Sequence, residues 1–230
     1  MSEDFFDLEF AENQDDRVPI SLVLDTSDSM TVDRGDGRVP LDELNGALDI
    51  LVTELNKDPL AKRRAEISII EYGTEVSEPT PFATVDNLVL PTLTASGITS
   101  TAAALNVALD SIEERKKQYR ENGIQYFRPI VLLLSDGLAT DGEEALKAAA
   151  DRMKDSEAQK KVIFFAVGFG GADLDQLSQF SDARPALGLK DMDFGKLFEW
   201  LSASAVSVSA SNPGEGVKLP NPSGWAEIEV

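Results

Sequence analysis

The residues of this chain best suited to chemistry are three side chains of one short loop, Asp25, Ser27 and Ser29. They form an Asp-x-Ser-x-Ser pattern directly after the apolar run Leu22–Leu24. One carboxylate and two hydroxyls converge there, and hard divalent ions such as Mg²⁺ take oxygen ligands in near-octahedral geometry while keeping several waters. The loop therefore predicts a site for a small hard cation, with coordination positions left open for a partner.

Two later segments strengthen this prediction, which would otherwise be weak because serine and aspartate are common in turns. Gly97-x-Thr99 lies just before a predicted helix, and Asp136-Gly137 ends a continuously apolar strand. In a doubly wound sheet, ligands bind outside the carboxyl ends of the strands at the topological switch point. The expected ion is Mg²⁺, with Mn²⁺ and Ca²⁺ as alternatives. The predicted ligands are Asp25, Ser27, Ser29, Thr99 and Asp136.

The composition restricts the chemistry further. Cysteine and histidine are both absent, which removes disulfides, thiolate nucleophiles, zinc sites of the soft-ligand type and imidazole bases. Any metal must therefore be held by oxygen atoms.

The charge of the chain excludes two classes of partner. Its 41 acidic and 21 basic residues give a formal net charge of −20, which repels nucleic-acid phosphates and anionic lipid headgroups. We therefore expect no nucleic acid and no membrane as partner. The same field attracts cations and basic proteins, although excess acid also serves solubility alone.

The start of the chain and its hydropathy indicate a location. Residues 1–7 contain no basic segment of the kind that opens a signal peptide, and no apolar run approaches the ~20 residues of a membrane span. The expectation is a soluble cytoplasmic protein.

From Val18 onward, apolar strand-like segments alternate with amphipathic helical segments, and these elements must position the site. This alternation predicts an α/β fold with a doubly wound, mostly parallel, six-stranded sheet and helices on both faces. Strands are expected at 20–24, 67–72, within 81–90 at the sheet edge, at 130–134 and at 162–167. A leucine stripe beginning at Leu41 predicts the first helix, which ends at Asp58-Pro59. Later helices are expected at about 102–118, after Thr140-Asp141, at 173–180 and around 194–208. Thr140 or Asp141, each with a Glu three residues on, is expected to cap the helix that follows them.

Three segments follow from these patterns: an acidic N-terminal tail at 1–17, the α/β domain at 18–210 and a Pro/Gly-rich C-terminal tail at 211–230. The N-terminal tail carries Phe5, Phe6, Leu8 and Phe10 among its acids. Such a composition cannot form its own core, so the tail is either disordered or loosely packed, or it docks on another surface.

The three motifs resemble the metal-ion-dependent adhesion site of von Willebrand factor type A (vWA) domains, and the resemblance covers most of residues 18–225. Within that family the sequence looks like the tellurium-resistance TerY group. The segments that carry this resemblance are Asp25–Met30, Leu44-Asn45, Asp58-Pro59, Gly97–Thr99, Tyr126–Pro129, Ser135–Gly137 with Thr140-Asp141, Phe164–Gly168 and Phe198–Leu201.

The resemblance implies a metal-dependent protein-interaction module and not an enzyme. It implies that Ser27 and Ser29 ligate the metal directly, that Thr99 does so in one state, and that Asp25 and Asp136 act directly or through water. It also implies that an Asp or Glu carboxylate from a protein partner completes the coordination. The TerY likeness implies a bacterial tellurite or stress-response setting, with other tellurium-resistance proteins or an associated kinase or phosphatase as partners.

Three features depart from the family pattern. Asp28 stands where glycine is usual, either as an extra carboxylate beside the ion or as a solvated turn residue. Ile98 replaces a common second glycine and stiffens the loop that carries Thr99. The stretch 31–38 is long and contains Asp33 and Asp36, but it lacks the spacing and the terminal Glu of an EF-hand, so we interpret it as an ordinary loop.

An enzyme that uses the metal for phosphoryl transfer or hydrolysis is the alternative function. A phosphatase of the haloacid-dehalogenase type would carry a second aspartate at position 27, where this chain has serine. The chain also lacks a Walker-type phosphate loop, and its three motifs contain no lysine or arginine to stabilise a transferring phosphoryl group.

The acidic tail offers a third possibility. Glu9, Glu12 or another acidic residue of 3–16 could reach the metal of a neighbouring molecule and imitate a partner's carboxylate. The alternative is that the tail contributes only charge and a few aromatic side chains that pack on the domain.

Overall fold

The computed structural model describes residues 9–33, 35, 37–137 and 139–227, without the side chains of residues 77–79 and 227. Among these residues, seven strands form one sheet. The strands are β1 (Val18–Asp25), β2 (Ala65–Tyr72), β3 (Val76–Thr84), β4 (Ile130–Ser135), β5 (Ile163–Gly168), β6 (Leu187–Leu189) and β7 (Ala226–Glu227). The helices are α1 (Pro40–Asn56), α2 (Pro59–Arg64), α3 (Thr101–Glu121), α4 (Glu143–Ala158), α5 (Leu174–Ser178) and α6 (Phe194–Ser209).

The strand order is β3-β2-β1-β4-β5-β6-β7. The five inner strands run parallel, while β3 and β7 pair antiparallel at the two edges. The predicted α/β class with a mostly parallel sheet is confirmed, and the two-residue β7 extends the expected six strands. No helix of the described residues is long and apolar enough to cross a bilayer.

The sheet is buried on both faces, as its continuously apolar central strands predict. Leu22 and Leu132 belong to the core that packs against α1 and α6. Their neighbours Val23 and Leu133 point the other way, into the core formed with α3 and α4. The chain thus continues from β1 into α1 on one face of the sheet, whereas it enters β4 from α3 on the other face. This arrangement opens a crevice between the carboxyl ends of β1 and β4.

The third strand differs from its prediction. It was expected within 81–90, but β3 spans Val76–Thr84 and contains Pro81. Proline lacks a backbone N–H and is tolerated in edge strands and at bulges. Pro81 lies where the register with β2 shifts, between the pairs Ile69–Thr80 and Ile67–Ala83.

Residues 9–17 pack on the domain at the amino-terminal ends of the strands. Phe10 is buried and its ring meets that of Tyr119 edge to face, with the centroids 5.9 Å apart. The guanidinium of Arg115 lies 4.8 Å from the centroid of Phe10. Part of the predicted tail thus docks on its own domain, whereas Phe5, Phe6 and Leu8 lie outside the described residues.

A buried ionic cluster anchors this segment. Glu66, at the start of β2, is fully buried and accepts hydrogen bonds from Arg17 Nε and Arg115 Nε, both at 2.8 Å. The hydroxyl of Tyr119 also donates to Glu66, and Arg115 reaches Glu9 at 2.8 Å. Burial, together with the negative charge of Glu66, raises the pKa of Tyr119 well above its usual value, so the hydroxyl remains a donor.

The chain beyond residue 210 also contacts the domain. Trp225 is buried against Trp200, with ring centroids 5.3 Å apart, and the indole N–H of Trp200 donates to the carbonyl of Pro220 at 2.8 Å. The boundaries of the three predicted segments stay predictions.

Candidate metal centre

Asp25, the last residue of β1, has a fully buried side chain. Its Oδ1 accepts the backbone N–H of Ser27 at 2.9 Å, and its Oδ2 accepts the hydroxyl of Ser135 at 2.9 Å. Burial raises the pKa of Asp25, and the negative charge of Asp136 contributes to the rise. A positive ion at this position would favour the charged carboxylate.

Ser27, Ser29 and Asp136 form a continuous line of oxygen atoms. The hydroxyl oxygens of Ser27 and Ser29 are 2.9 Å apart, and Ser29 donates to Asp136 Oδ1 at 2.8 Å. Ser29 lies in a 3₁₀ turn that follows β1, and Asp136 directly follows β4. Oxygen ligands from the two central strands therefore meet at the crevice where doubly wound folds bind ligands.

Thr99 approaches the same end of the sheet on a loop. The backbone N–H of Asp28 donates to the carbonyl of Gly97 at 2.9 Å, and the N–H of Gly97 donates to Asp28 Oδ1 at 2.9 Å. The N–H of Ser96 donates to the carbonyl of Thr26 at 2.7 Å. These bonds hold the Thr99 loop against the loop that carries Ser27 and Ser29.

This geometry gives Asp28 a role different from the two that the sequence suggested. The residue is exposed, but its carboxylate binds the backbone of Gly97 and so tethers the two loops. Gly97 has a φ of +56°, and a Cβ there would lie 1.9 Å from Thr74 Oγ1. Only glycine fits this position of the loop.

The loop after β4 contacts the Thr99 loop as well. The N–H and the hydroxyl of Thr140 both donate to the carbonyl of Thr99, at 2.9 and 3.0 Å. Asp141 Oδ2 accepts the N–H of Ala102 at 3.2 Å, at the start of α3. The prediction that Thr140 or Asp141 caps the following helix was wrong, because α4 has Gly142 at its cap position and Asp141 turns to the end of a helix that is close only in space.

Side-chain contacts thus connect four of the five predicted ligands, directly or through one neighbouring group. The fifth, Thr99, lies on a neighbouring loop: its own backbone binds Thr140, and the loop is held to the Ser27–Ser29 loop through Ser96 and Gly97. Ser135 precedes the predicted ligand Asp136 but was not itself predicted to have a role. Ser135 orients Asp25, while the buried hydroxyl of Tyr72 donates to the carbonyl of Leu134 at 2.9 Å beside it.

The donor set fits a hard divalent cation. Every candidate ligand atom is an oxygen, and no lysine or arginine of the described residues forms an ion pair with Asp25. Within the part of the chain that the structure describes, no three carboxylates gather closely enough to hold an ion. A metal at this crevice would therefore depend on the hydroxyls of Ser27, Ser29 and Thr99.

The 31–38 stretch supplies nothing comparable. Asp33 Oδ1 accepts the N–H groups of Gly35 and Gly37, at 2.8 and 3.0 Å, so this carboxylate closes its own turn. Asp36, the other acid considered there, lies outside the described residues.

Solved structures of other proteins have a similar fold. Proximal thread matrix protein 1 from the mussel byssus superposes with a TM-score of 0.53 at 15% identity, over 84% of this chain and 49% of that one. The PilB minor pilin from Streptococcus sanguinis gives a TM-score of 0.58 at 13% identity, over 82% and 61%. This chain thus spans about half and three fifths of those proteins. A further structure of the mussel protein has a zinc-occupied metal-ion-dependent adhesion motif, with a TM-score of 0.53 at 15% identity and the same coverage.

No functionally curated protein matches the sequence. The family model of the von Willebrand factor type A domain matches residues 20–199, which include every predicted ligand, most of β1 and all of the strands from β2 to β6. The chain therefore belongs to the von Willebrand factor type A domain family.

Proposed function

We propose that this protein is a metal-dependent protein-interaction module. Asp25, Ser27, Ser29, Thr99 and Asp136 hold a divalent cation, with Mg²⁺ as the expected ion and Mn²⁺ or Ca²⁺ as alternatives. The observation that carries the proposal is the line of oxygen atoms from Ser27 through Ser29 to Asp136, with the buried Asp25 behind it. Membership of a family whose domains generally mediate protein interactions supports it.

The partner supplies an Asp or Glu carboxylate to the ion. Two exposed apolar side chains adjoin the proposed ligands in sequence: Ile98 precedes Thr99, and Val32 follows the 3₁₀ turn that contains Ser29. Each is 55% exposed. A partner segment with an acidic residue flanked by apolar ones matches this rim, because the carboxylate binds the cation while the apolar neighbours cover the valine and isoleucine.

The setting that we propose is the cytoplasm of a bacterium, in a tellurite or stress-response system. Its support is the likeness of eight sequence segments to the TerY group. Other tellurium-resistance proteins, or a kinase or phosphatase that accompanies them, are the proposed partners. The zinc-occupied motif of the mussel protein supports a divalent ion at this kind of site without selecting among metals.

The geometry favours binding over phosphoryl transfer or hydrolysis. A nucleophilic aspartate must present a carboxylate oxygen to its substrate. Asp25 is fully buried, and both of its oxygens already accept hydrogen bonds, from Ser27 and Ser135. Its position suits an anchor behind a metal and not an attacking group.

Calorimetric titration with Mg²⁺ and with Mn²⁺ tests this function. We expect saturable binding of one ion, lost in Asp25→Ala and in Ser27→Ala because each removes an oxygen donor. Asp155→Ala, which removes an exposed carboxylate on α4, is the matched control and should bind as the wild type does. Absence of binding to the wild type, or binding that survives both site variants, would rule out the proposed site.

Asp28 gives a second prediction, about the tether between the loops. Asp28→Ala removes the acceptor for the Gly97 N–H, and we expect Mg²⁺ affinity to fall about tenfold, since a hydrogen bond to a charged group contributes roughly 1.5–3 kcal/mol and this one is exposed. Asp28→Asn keeps an acceptor oxygen and should retain most of the affinity. Equal losses in both variants would mean that Asp28 acts through its charge on the ion.

A further inference from the structure

A wide groove lies at the end of the sheet opposite the proposed metal ligands. It has a volume of about 830 Å³ and is bordered by Pro129 and Lys161, which lie just before β4 and β5. Its apolar lining includes Phe127, Phe165 and Leu219. The groove is therefore separate from the metal centre by the length of the central strands.

Basic side chains surround this groove in a strongly acidic protein. Five of its lining residues are cationic: Lys116, Arg128, Lys160, Lys161 and Arg184. The chain as a whole has only 21 lysines and arginines against 41 acids. The acidic residue in the lining is Glu215, whose carboxylate binds Asn212. Lys116 pairs with Glu113 and Arg184 with Glu157, but the three remaining cations still outnumber Glu215. The net charge of the lining is thus opposite in sign to that of the whole protein.

Some of these cationic side chains form no ion pair with the described residues. Arg184 pairs with Glu157 at 2.6 Å, which gives that arginine a structural role. Lys160 and Lys161 are exposed, and no carboxylate of the described residues pairs with either. Arg128 donates to the carbonyl of Glu157 at 2.9 Å, but its Nε is buried without a partner.

Lys160 occupies a backbone position that favours glycine. Its φ is +57°, and the N–H of Lys161 donates to the carbonyl of Ser156 at 2.8 Å, which is the pattern of a helix end with a left-handed residue. A side chain in this conformation costs about 1 kcal/mol relative to glycine. A lysine at the C-terminal end of α4 is favourable for the helix dipole, and it also adds a cation to the groove.

The amino-terminal segment has the complementary composition. Residues 1–8 contain three acids, Glu3, Asp4 and Asp7, and three large apolar side chains, Phe5, Phe6 and Leu8. The described chain begins beside the groove: Glu9 binds Arg115, the neighbour of the lining residue Lys116. Phe10 packs on Tyr119, and Tyr119 packs on the lining residue Tyr126 with ring centroids 5.3 Å apart.

We propose that the groove is a docking site for an acidic, aromatic peptide segment, and that its occupant is residues 1–8 of the same chain. Eight extended residues span up to about 27 Å, which is enough to cross from Glu9 into a groove that begins two side chains away. The carboxylates pair with Lys160 and Lys161, and the phenylalanines cover the apolar lining. This site is independent of the metal centre.

A spin label tests this docking, because the chain has no native cysteine. A nitroxide attached at Ser2→Cys should broaden the amide resonances of Lys161 and Val217 in the groove until most of their intensity is lost. Amides at the metal end, such as Val32, serve as the distance control. We expect Lys160→Glu with Lys161→Glu to restore the groove intensities, as should roughly 1 M salt, where the screening length falls to about 3 Å. Broadening that is absent, or unchanged by charge reversal, would overturn the proposal.

Two further measurements separate docking from a structural role and from self-association. Lys160→Gly relieves the left-handed conformation, so it should preserve or raise the thermal midpoint while it weakens the broadening. A loss of folding in this variant would mean that Lys160 serves the helix end. Mixing spin-labelled chains with isotope-labelled, label-free chains should give no broadening, and broadening in the mixture would replace the same-chain occupant with a second copy.

Discussion

Replacing Glu66 by alanine is expected to lower the free energy of unfolding by about 3–5 kcal/mol, because removal of one partner leaves buried charges uncompensated. Arg17 is fully buried and Arg115 nearly so, and both donate to this carboxylate, as does the hydroxyl of Tyr119. For a domain of this size, such a loss lowers the thermal midpoint by roughly 6–20 °C. Urea unfolding followed by circular dichroism measures the change.

The control for this experiment is Glu114→Ala on α3. Glu114 and Lys117 are both exposed and 3.7 Å apart, so their pair contributes at most about 1 kcal/mol. A Glu66→Ala protein as stable as the Glu114→Ala protein would show that the cluster does not anchor residues 9–17. If the cluster does anchor these residues, its loss also frees Phe10. Limited proteolysis should then cleave near residues 9–17 in Glu66→Ala but not in Glu114→Ala.

Divalent metal is expected to stabilise the protein by about 2.7 kcal/mol at a concentration 100-fold above its Kd, since a ligand that binds only the folded state adds RT ln(1 + [L]/Kd). The thermal midpoint should rise by roughly 5–10 °C. Differential scanning calorimetry with Mg²⁺ and with a chelator measures the difference. Ser29→Ala, which removes the hydroxyl between Ser27 and Asp136, should lose most of the rise.

Asp25→Asn separates two effects on the stability of the fold: the unfavourable burial of the Asp25 charge and the favourable binding of a metal ion. The pKa of Asp25 is raised in the folded protein, so the folded state holds the proton more tightly than the unfolded state does. Stability of the metal-free protein therefore falls as the pH rises from the usual aspartate value near 3.8 through the raised value. At neutral pH, metal-free Asp25→Asn should be at least as stable as the metal-free wild type and should not respond to Mg²⁺. A Mg²⁺-dependent rise in this variant would contradict the proposed role of Asp25.

The fold was largely predictable because its central elements are determined locally. The continuous apolar runs that became β1, β4 and β5 can only be buried on both faces, and the leucine stripe of α1 has a helical period. The observed bounds of these elements differ from the predicted ones by one or two residues. The short strands β6 and β7 could not be placed, because two or three residues carry no periodic pattern and pair only when the rest of the sheet exists.

The residues proposed for the candidate site follow from local sequence patterns, whereas the contacts that connect them do not. Asp25, Ser27 and Ser29 belong to one loop, whose local spacing carries a chemical meaning. The bond from Asp28 to Gly97 joins residues 69 positions apart, and the bond from Asp141 to Ala102 joins residues 39 positions apart. No local pattern predicts such contacts. The buried cluster around Glu66 was missed for the same reason, since a glutamate that opens an apolar strand looks like an ordinary solvated residue.

We propose that a bound metal ion and a partner's carboxylate together make the interaction. The most direct test immobilises the wild-type chain, Asp25→Ala and the control Asp155→Ala, and compares what each captures from a lysate of the source cell in Mg²⁺ and in chelator. We expect the same partner to be retained by the wild type and by Asp155→Ala in Mg²⁺, to be released by chelator and to be absent from Asp25→Ala. We also expect it to lose binding when one of its own acidic residues is neutralised. A partner that stays bound in chelator, or that binds Asp25→Ala equally well, would contradict this proposal.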